Sequence, residues 1–158
     1  MIESRSATKE QLLMPWIAQF PGEPGSAGAA RRMVRDALGC DPRTEEAELI
    51  ASELVTNALL HSASGQGGIV WVMVAYKSEA IRIEVTDEGK HGEPLSGRNP
   101  EEAEDFGRGL AIVDALAQAW GAHGEIDECH TVWAELGPVG AKHVRCQEQD
   151  QSIRAHGV

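Results

Sequence analysis

Three polar side chains recur every four residues along a segment that is rich in apolar residues. Glu53, Asn57 and His61 lie four residues apart in the segment SELVTNALLHS. Side chains at this spacing share one side of an α-helix. An asparagine oxygen is a neutral hard ligand that suits Mg²⁺, and a glutamate one turn away can accept a proton from a hydroxyl group. The pattern indicates a metal–phosphate site. In the other interpretation the three groups pair with each other or cap backbone, because an unpaired buried polar group costs about 1–3 kcal/mol.

A second polar signal is an aspartate that ends an apolar segment. Asp87 follows Val85 and Thr86, and Gly89 comes two residues later. An ionised carboxylate only accepts hydrogen bonds, so Asp87 is suited to the exocyclic amine of adenine and rejects the carbonyl that guanine carries there. An Asp-x-Gly turn is equally consistent with these residues alone.

A third signal is glycine-rich. Gly107, Arg108, Gly109 and Leu110 precede an apolar helical pattern, where backbone amides can face a phosphate. Arg108 is a candidate phosphate contact or a solvated side chain. The segment is not a Walker A loop, because no Lys-Ser or Lys-Thr follows it. It is not a Rossmann fingerprint, because a third glycine and a preceding strand are missing.

The elements that must position these residues follow from periodicity and turn residues. The predicted order is strand, helix, helix, two strands, long loop, helix, two strands, which favours a two-layer α/β sandwich. Its sheet is mixed and mostly antiparallel, and helices cover one face. The predicted helices cover 27–38, a second segment that begins at 41–42 or at 44 and ends at about 62, and 110–120. The predicted strands cover 16–20, 69–76, 80–86, 121–126 and 131–136. The predicted domain covers 15–138, with disordered segments at 1–14 and 139–158.

The composition limits the function classes. The 158 residues suit one domain, and the net charge of −11 argues against nucleic acid and anionic lipid as partners. We expect no signal peptide and no transmembrane helix, because no apolar run is long enough. The three cysteines have no CxxC spacing, so we expect a reducing cytoplasm. The basic cluster Arg31, Arg32 and Arg35 is a solvated face or a docking surface for a partner.

The motifs are more specific as an ordered set than singly. SELVTNALLHS, VTDEG, GRGLAIVDALA and HTVWAEL resemble the N box, adenine box, glycine box and final strand of the GHKL ATPase superfamily. Together with FPGEPGSAGAARRMVRDAL, they resemble its anti-sigma factor serine/threonine kinases. The resemblance covers residues 16–137. The residues after Gly89 depart from the usual Asp-x-Gly-Pro-Gly pattern and lead into an acidic loop, so the resemblance supports adenine binding better than lid closure.

The resemblance implies a role for each matched residue. Asn57 would bind Mg²⁺ and Glu53 would be the catalytic base. Asp87 would bind the adenine amine, and Gly89 would allow close approach. Gly107, Gly109 and Leu110 would pack near the phosphates, and Thr131 would make a second adenine contact. His61 would occupy the family's basic position without an assigned role.

The implied activity is transfer of the ATP γ-phosphoryl group to a serine or threonine of an anti-anti-sigma protein of the STAS fold, with a sigma factor as the other partner. Homodimers are common in the family, and Trp16–Phe20 is a candidate edge strand for pairing. The alternative is a non-catalytic ATP-binding module that sequesters its partner. A gyrase-like ATPase would need a transducer domain, and a histidine kinase would need a preceding dimerisation helix, so both fit less well.

Overall fold

A five-stranded antiparallel sheet forms one layer of the domain, and helices form the other. The computed structural model describes residues 12–89, 110–124 and 128–140. The strand order is β1-β2-β3-β5-β4. The strands are β1 Leu12–Pro21, β2 Ile69–Lys77, β3 Ala80–Asp87, β4 Ala119–His123 and β5 His130–Leu136. The helices are α1 Gly25–Leu38, α2 Thr44–His61 and α3, which is helical over 110–116 within the described residues.

The core lies between the sheet and the helices because the central strands β2 and β3 bury alternate side chains. In β3, Ile81, Ile83 and Val85 are buried under the helices, whereas Arg82 and Glu84 lie on the other face, which we call the outer face. A strand exposes successive side chains to opposite faces, so this alternation fixes which residues can meet α2. The predicted two-layer α/β fold is confirmed, and every strand pair is antiparallel.

Helix α2 buries one apolar face in the core of the domain. Its first turn carries Glu45 and Glu46, which interact favourably with the positive end of the helix dipole. Full burial of one leucine or isoleucine contributes about 1.5–3 kcal/mol, so this face stabilises the contact between α2 and the sheet. The buried apolar residues of α2 are Ala47, Ile50, Ala51, Leu54, Val55 and Ala58.

Two contacts fix the direction of α2 along β3. At its N-terminal end, the Arg43 guanidinium donates to the carbonyl of Glu79, 2.6 Å away, before β3 begins. Beyond its C-terminal end, the Ser64 hydroxyl accepts a 2.9 Å hydrogen bond from the amide of Glu88, just after β3 ends. Helix α2 therefore runs parallel to β3, and its C-terminal half lies at the same end of the domain as Asp87.

The structure corrects several predicted bounds. Strand β1 covers Leu12–Pro21 rather than 16–20. The third helix ends at 116 rather than 120, and β4 covers Ala119–His123 rather than 121–126. The reason is that the chain has already joined the sheet at Gln118, whose amide donates to the carbonyl of Glu135 at 2.8 Å. No helix in the described ranges is long and apolar enough to cross a membrane.

The loop before α2 contains a carboxylate that should make stability depend on pH. Asp41 accepts hydrogen bonds from the Arg43 guanidinium, 2.9 Å away, and from the Tyr76 hydroxyl, 3.1 Å away. The Arg43 side chain is the main cause that lowers the pKa of Asp41 to about 2. A lowered pKa stabilises the fold above the ordinary carboxyl pKa of about 4, and this stability is lost as the pH falls towards 2.

We therefore expect Asp41→Asn to lower the free energy of unfolding by about 1–2 kcal/mol at pH 7. The deficit relative to wild type should shrink as the pH falls from about 4 towards 2, because wild type then loses the same interaction. Urea unfolding at several pH values measures this. Asp36→Asn, at an exposed position of α1, is the matched control. A deficit that does not change with pH would contradict the role of the charge.

Candidate functional site

The polar stripe of α2 lies at the border of its buried face. Glu53, Asn57 and His61 are each half-buried, while Leu54 and Ala58 beside them are buried. The predicted spacing therefore places the three side chains along one side of the helix, neither in the core nor fully in solvent. Since α2 runs parallel to β3, Asn57 and His61 lie towards the end of the sheet where β3 terminates. Polar groups at such a border can meet a ligand without leaving the helix surface.

Asp87 ends β3 on the helix side of the sheet and is only 7% exposed. The amide of Gly89 donates to its Oδ1 at 2.7 Å. Burial raises the pKa of Asp87, against the opposing effects of the Gly89 amide and of His130. A carboxylate has room for about four hydrogen bonds, so Asp87 can accept another donor beside Gly89. This makes it a buried acceptor suited to a neutral N–H group of a ligand.

The turn after α2 holds the end of β3 in place. The Ser64 hydroxyl accepts from the amide of Glu88 and donates to the carbonyl of Ile69 at 2.7 Å. The Glu88 carboxylate accepts from the amide of Ile69 at 2.8 Å. Ser64 is fully buried. These bonds join the end of α2, the start of β2 and the residue after Asp87, so they position Asp87 relative to the polar stripe.

Gly89 is required by its surroundings as well as by its backbone angle. Its φ is +69°, and a Cβ atom would lie 2.3 Å from the carbonyl oxygen of Glu128. A side chain is therefore excluded by both conformation and space. The chain can turn directly after Asp87 only with glycine here, which keeps the Gly89 amide on the carboxylate.

The side chains of Thr131 and Asp87 lie on opposite faces of the sheet, because successive residues of a strand alternate between the two faces. Thr131 lies opposite Thr86 on the outer face, and their hydroxyl oxygens are 2.8 Å apart. The residue opposite Asp87 is His130, on the helix side of the sheet. Its Nδ1 lies 3.9 Å from Asp87 Oδ1. Alternation along β5 therefore directs the Thr131 side chain away from Asp87 and brings His130 beside Asp87 instead. The predicted adenine contact of Thr131 stays a prediction.

The glycine-rich segment is only partly described. Gly107, Arg108 and Gly109 lie outside the described residues, so their predicted phosphate contacts stay predictions. Leu110 is half-buried and packs against the core at the start of the described part of α3. The chain after α3 meets the C-terminal part of β5 through the Gln118 amide and the Glu135 carbonyl, so the C-terminal end of α3 lies at the end of the sheet away from Asp87.

Asn57 is the residue of the α2 stripe that was predicted to bind a metal ion. Among the residues that the structure describes, no group of three or more His, Cys, Asp or Glu side chains could hold a metal ion. A metal cage of protein side chains is therefore absent from this part of the chain. The amide oxygen of Asn57 fits Mg²⁺ that is otherwise ligated by phosphates and water, because Mg²⁺ commonly takes only one or two protein ligands.

Comparison with known proteins identifies the family. A family model described as a histidine kinase-like ATPase domain matches residues 20–135, a range that contains the α2 stripe, Asp87 and His130. The anti-sigma F factor of Clostridium acetobutylicum is 33% identical, and the match covers 48% of this chain and 59% of that relative. The chain thus spans less than two thirds of the relative's length. Because the family model covers most of the chain, the protein belongs to the histidine kinase-like ATPase family.

Proposed function

We propose that this protein is an ATP-dependent anti-sigma regulator of the cytoplasm that phosphorylates a serine or threonine of an anti-anti-sigma partner. The observation that carries the proposal is the meeting of two signals at one end of the domain. The half-buried side chains of Glu53, Asn57 and His61 lie along α2. Helix α2 runs towards the end of β3, where the buried Asp87 lies. Family membership supports ATP as the nucleotide, and the anti-sigma F factor of Clostridium acetobutylicum supports the regulatory role.

The adenine would be recognised at the end of β3. Asp87 is a buried acceptor whose Oδ1 already holds the Gly89 amide, and it would accept a further hydrogen bond from the exocyclic amine. Guanine presents a carbonyl oxygen at that position, and two acceptors facing each other without a proton are strongly unfavourable when buried. The site should therefore distinguish ATP from GTP.

The phosphates would lie nearer α2 and the start of α3. Asn57 would supply one ligand to Mg²⁺, and the amides of Gly107, Gly109 and Leu110 would face the phosphates, with Arg108 as a further contact. When bound, Mg²⁺ neutralises charge that develops on the phosphate oxygens. Asn57 thus serves to fix the position of the triphosphate relative to Glu53, one helical turn away. His61 would border the same site, without an assigned role.

The proposed reaction is an in-line displacement. The hydroxyl oxygen of the partner's serine or threonine forms a bond to the γ-phosphorus, and the bond from this phosphorus to the β,γ-bridging oxygen breaks, so ADP leaves. Glu53 orients the hydroxyl and accepts its proton. Phosphoryl transfer depends mainly on positioning and electrostatic stabilisation, which agrees with a site where one helix face lies near the end of one strand.

Charge suggests how the product would be released. Phosphorylation adds a charge of about −1.5 to −2 to the partner, and this chain carries a net charge of −11. Repulsion should therefore weaken the complex once transfer is complete. The unphosphorylated partner and a sigma factor would compete for the protein, so ATP turnover would decide which of the two stays bound.

Pairing through β1 would create a homodimer. Strand β1 is at the edge of the sheet, and an edge strand offers unpaired backbone groups to another strand. Its sequence, LLMPWIAQFP, has no charged residue, so two copies can approach there despite the net negative charge. Leu13, Trp16 and Ile17 are exposed on it.

We expect Ile17→Lys to convert a dimer into a monomer, because it would place two like charges in the shared edge. Light scattering after size-exclusion chromatography measures the mass. Ile17 is 66% exposed and Val139 is 67% exposed, so Val139→Lys, outside the sheet, is the matched control. A wild-type protein that is monomeric at high concentration, or a dimer that survives Ile17→Lys, would contradict pairing through β1.

Two measurements test the proposed function together. Calorimetric titration of the purified protein with ATP, ADP and GTP in the presence of Mg²⁺ should show adenine nucleotides binding and GTP failing to bind. Incubation with γ-labelled ATP and a STAS-fold partner should then transfer label to a serine or threonine. Absence of adenine-nucleotide binding would refute the proposal, and binding without transfer would favour the non-catalytic module.

A further inference from the structure

His130 lies beside Asp87 on the helix side of the sheet, and most of its side chain is shielded from solvent. The side chains of His130 and Asp87 are 12% and 10% exposed, and Nδ1 lies 3.9 Å from Oδ1. This distance is too long for a hydrogen bond between the two atoms. It does allow both side chains to bind neighbouring atoms on one edge of the same ligand.

Two glycines leave the space that the imidazole occupies. A Cβ atom at Gly124 would lie 2.5 Å from Cδ2 of His130, and the φ of Gly124 is +150°. A Cβ atom at Gly89 would lie 3.5 Å from Cε1 of the same ring. The imidazole therefore sits between the two turns that follow β3 and β4, and each turn restricts its orientation. A ring fixed in this way can recognise a ligand with little loss of side-chain entropy.

We propose that His130 is a specificity-determining residue that donates a hydrogen bond to N1 of adenine, while Asp87 accepts one from the adjacent amine. This assignment rests on the proposed function. A nearby carboxylate favours the imidazole proton on the nitrogen that faces it, which makes Nδ1 the donor. Asp87 and His130 then present an acceptor and a donor side by side.

The chemistry of the two purines makes this pair selective. The edge of adenine carries a donor on its amine and an acceptor at N1. The same edge of guanine carries an acceptor and a donor in the opposite order. A guanine base would therefore place an acceptor against Asp87 and a donor against His130. Both buried pairs would be mismatched, so the histidine adds a second reason for the site to reject GTP.

The neighbouring residue on β5 provides a matched control. Thr131 follows His130 directly, but its hydroxyl contacts Thr86 on the outer face. Substitutions at the two positions disturb the same stretch of β5 on opposite faces. An effect of His130 through the ligand should therefore be absent from Thr131→Ala, whereas general damage to the strand should appear in both variants.

The test compares ATP with 1-deaza-ATP, in which a C–H group replaces N1. Both are titrated into wild type, His130→Ala, His130→Asn and Thr131→Ala, and thermal unfolding verifies that each variant is folded. We expect wild type and Thr131→Ala to prefer ATP about three- to tenfold, the value of one hydrogen bond. His130→Ala should bind ATP more weakly by the same factor and lose the preference. His130→Asn, whose amide nitrogen can take the place of Nδ1, should keep part of it.

The outcomes separate this inference from the proposed function. If wild type binds ATP, and His130→Ala binds it equally well or keeps the full preference over 1-deaza-ATP, the histidine assignment is wrong and the proposed function stands. If Thr131→Ala loses the preference for ATP over 1-deaza-ATP instead, then the assignment of His130 to the helix side of β5 and of Thr131 to its outer face is wrong. If wild type binds neither nucleotide, both the proposed function and the inference fail.

Discussion

Asp87→Asn is expected to weaken ATP binding about 10- to 100-fold, the effect of losing a hydrogen bond to a charged, buried acceptor. The Gly89 amide donates to Oδ1 of Asp87 at 2.7 Å. An asparagine that keeps this bond through its oxygen must direct its amide nitrogen at the ligand. A donor would then face the amine of adenine, which is also a donor. Calorimetric titration with ATP and Mg²⁺ measures the loss.

The same substitution should change selectivity as well as affinity. An amide nitrogen can donate to the carbonyl oxygen of guanine, so the variant should bind GTP better than wild type does. The ratio of ATP affinity to GTP affinity should therefore fall by a larger factor than ATP affinity itself. Glu84→Gln removes a charge from the same strand on the outer face, where Glu84 pairs with Arg82, and should leave both affinities unchanged. ATP affinity that is unaffected by Asp87→Asn would exclude Asp87 from the adenine site.

Local periodicity was sufficient to predict the elements that carry the site. The apolar positions of α2 repeat with the helical period over 18 residues, and β3 alternates without interruption from Ile81 to Asp87. A pattern of this length reflects which side chains of the element face the hydrophobic core. The polar stripe of α2 and the aspartate at the end of β3 could therefore be predicted from residue spacing alone.

The end of α3 and the start of β4 could not be predicted in this way. The segment around Ala117, Ala119 and Ala122 has small side chains that fit a helix or a strand equally well, so its periodicity is weak. The deciding contact is long-range: the Gln118 amide bonds to Glu135. The hydrogen bond of Ser64 with Glu88 was missed for the same reason, since it joins residues that are 24 positions apart in the chain.

The orientation of the Thr131 side chain shows a second limit of prediction from the sequence. Matching a motif transfers residue types from a family, but the side of a strand on which a residue lies depends on its register with the neighbouring strand. In this structure Asp87 pairs with His130, which places the threonine one position too late to face the helices. The alternation of apolar residues Val132, Ala134 and Leu136 was a signal that could have identified His130 as the inward residue.

Glu53→Gln is expected to lower the rate of phosphoryl transfer about 10²- to 10⁴-fold, the usual contribution of a general base. Glutamine keeps the size of the side chain and its place on α2, but it cannot accept the proton of the partner's hydroxyl. Asn57 and Asp87 are unchanged in this variant, so the affinity for ATP should stay within about twofold. Single-turnover transfer from labelled ATP to the partner measures the rate, and calorimetry measures the affinity.

The control for Glu53→Gln is Glu45→Gln, an exposed glutamate in the first turn of the same helix, which should transfer at the wild-type rate. A Glu53→Gln variant that binds ATP more weakly and transfers normally once saturated would assign Glu53 to ground-state binding. A variant that loses transfer but still releases the sigma factor when the partner is added would mean that ATP acts as a structural ligand. Regulation would then depend on competition between the two partners, and phosphorylation would not be needed to drive the exchange.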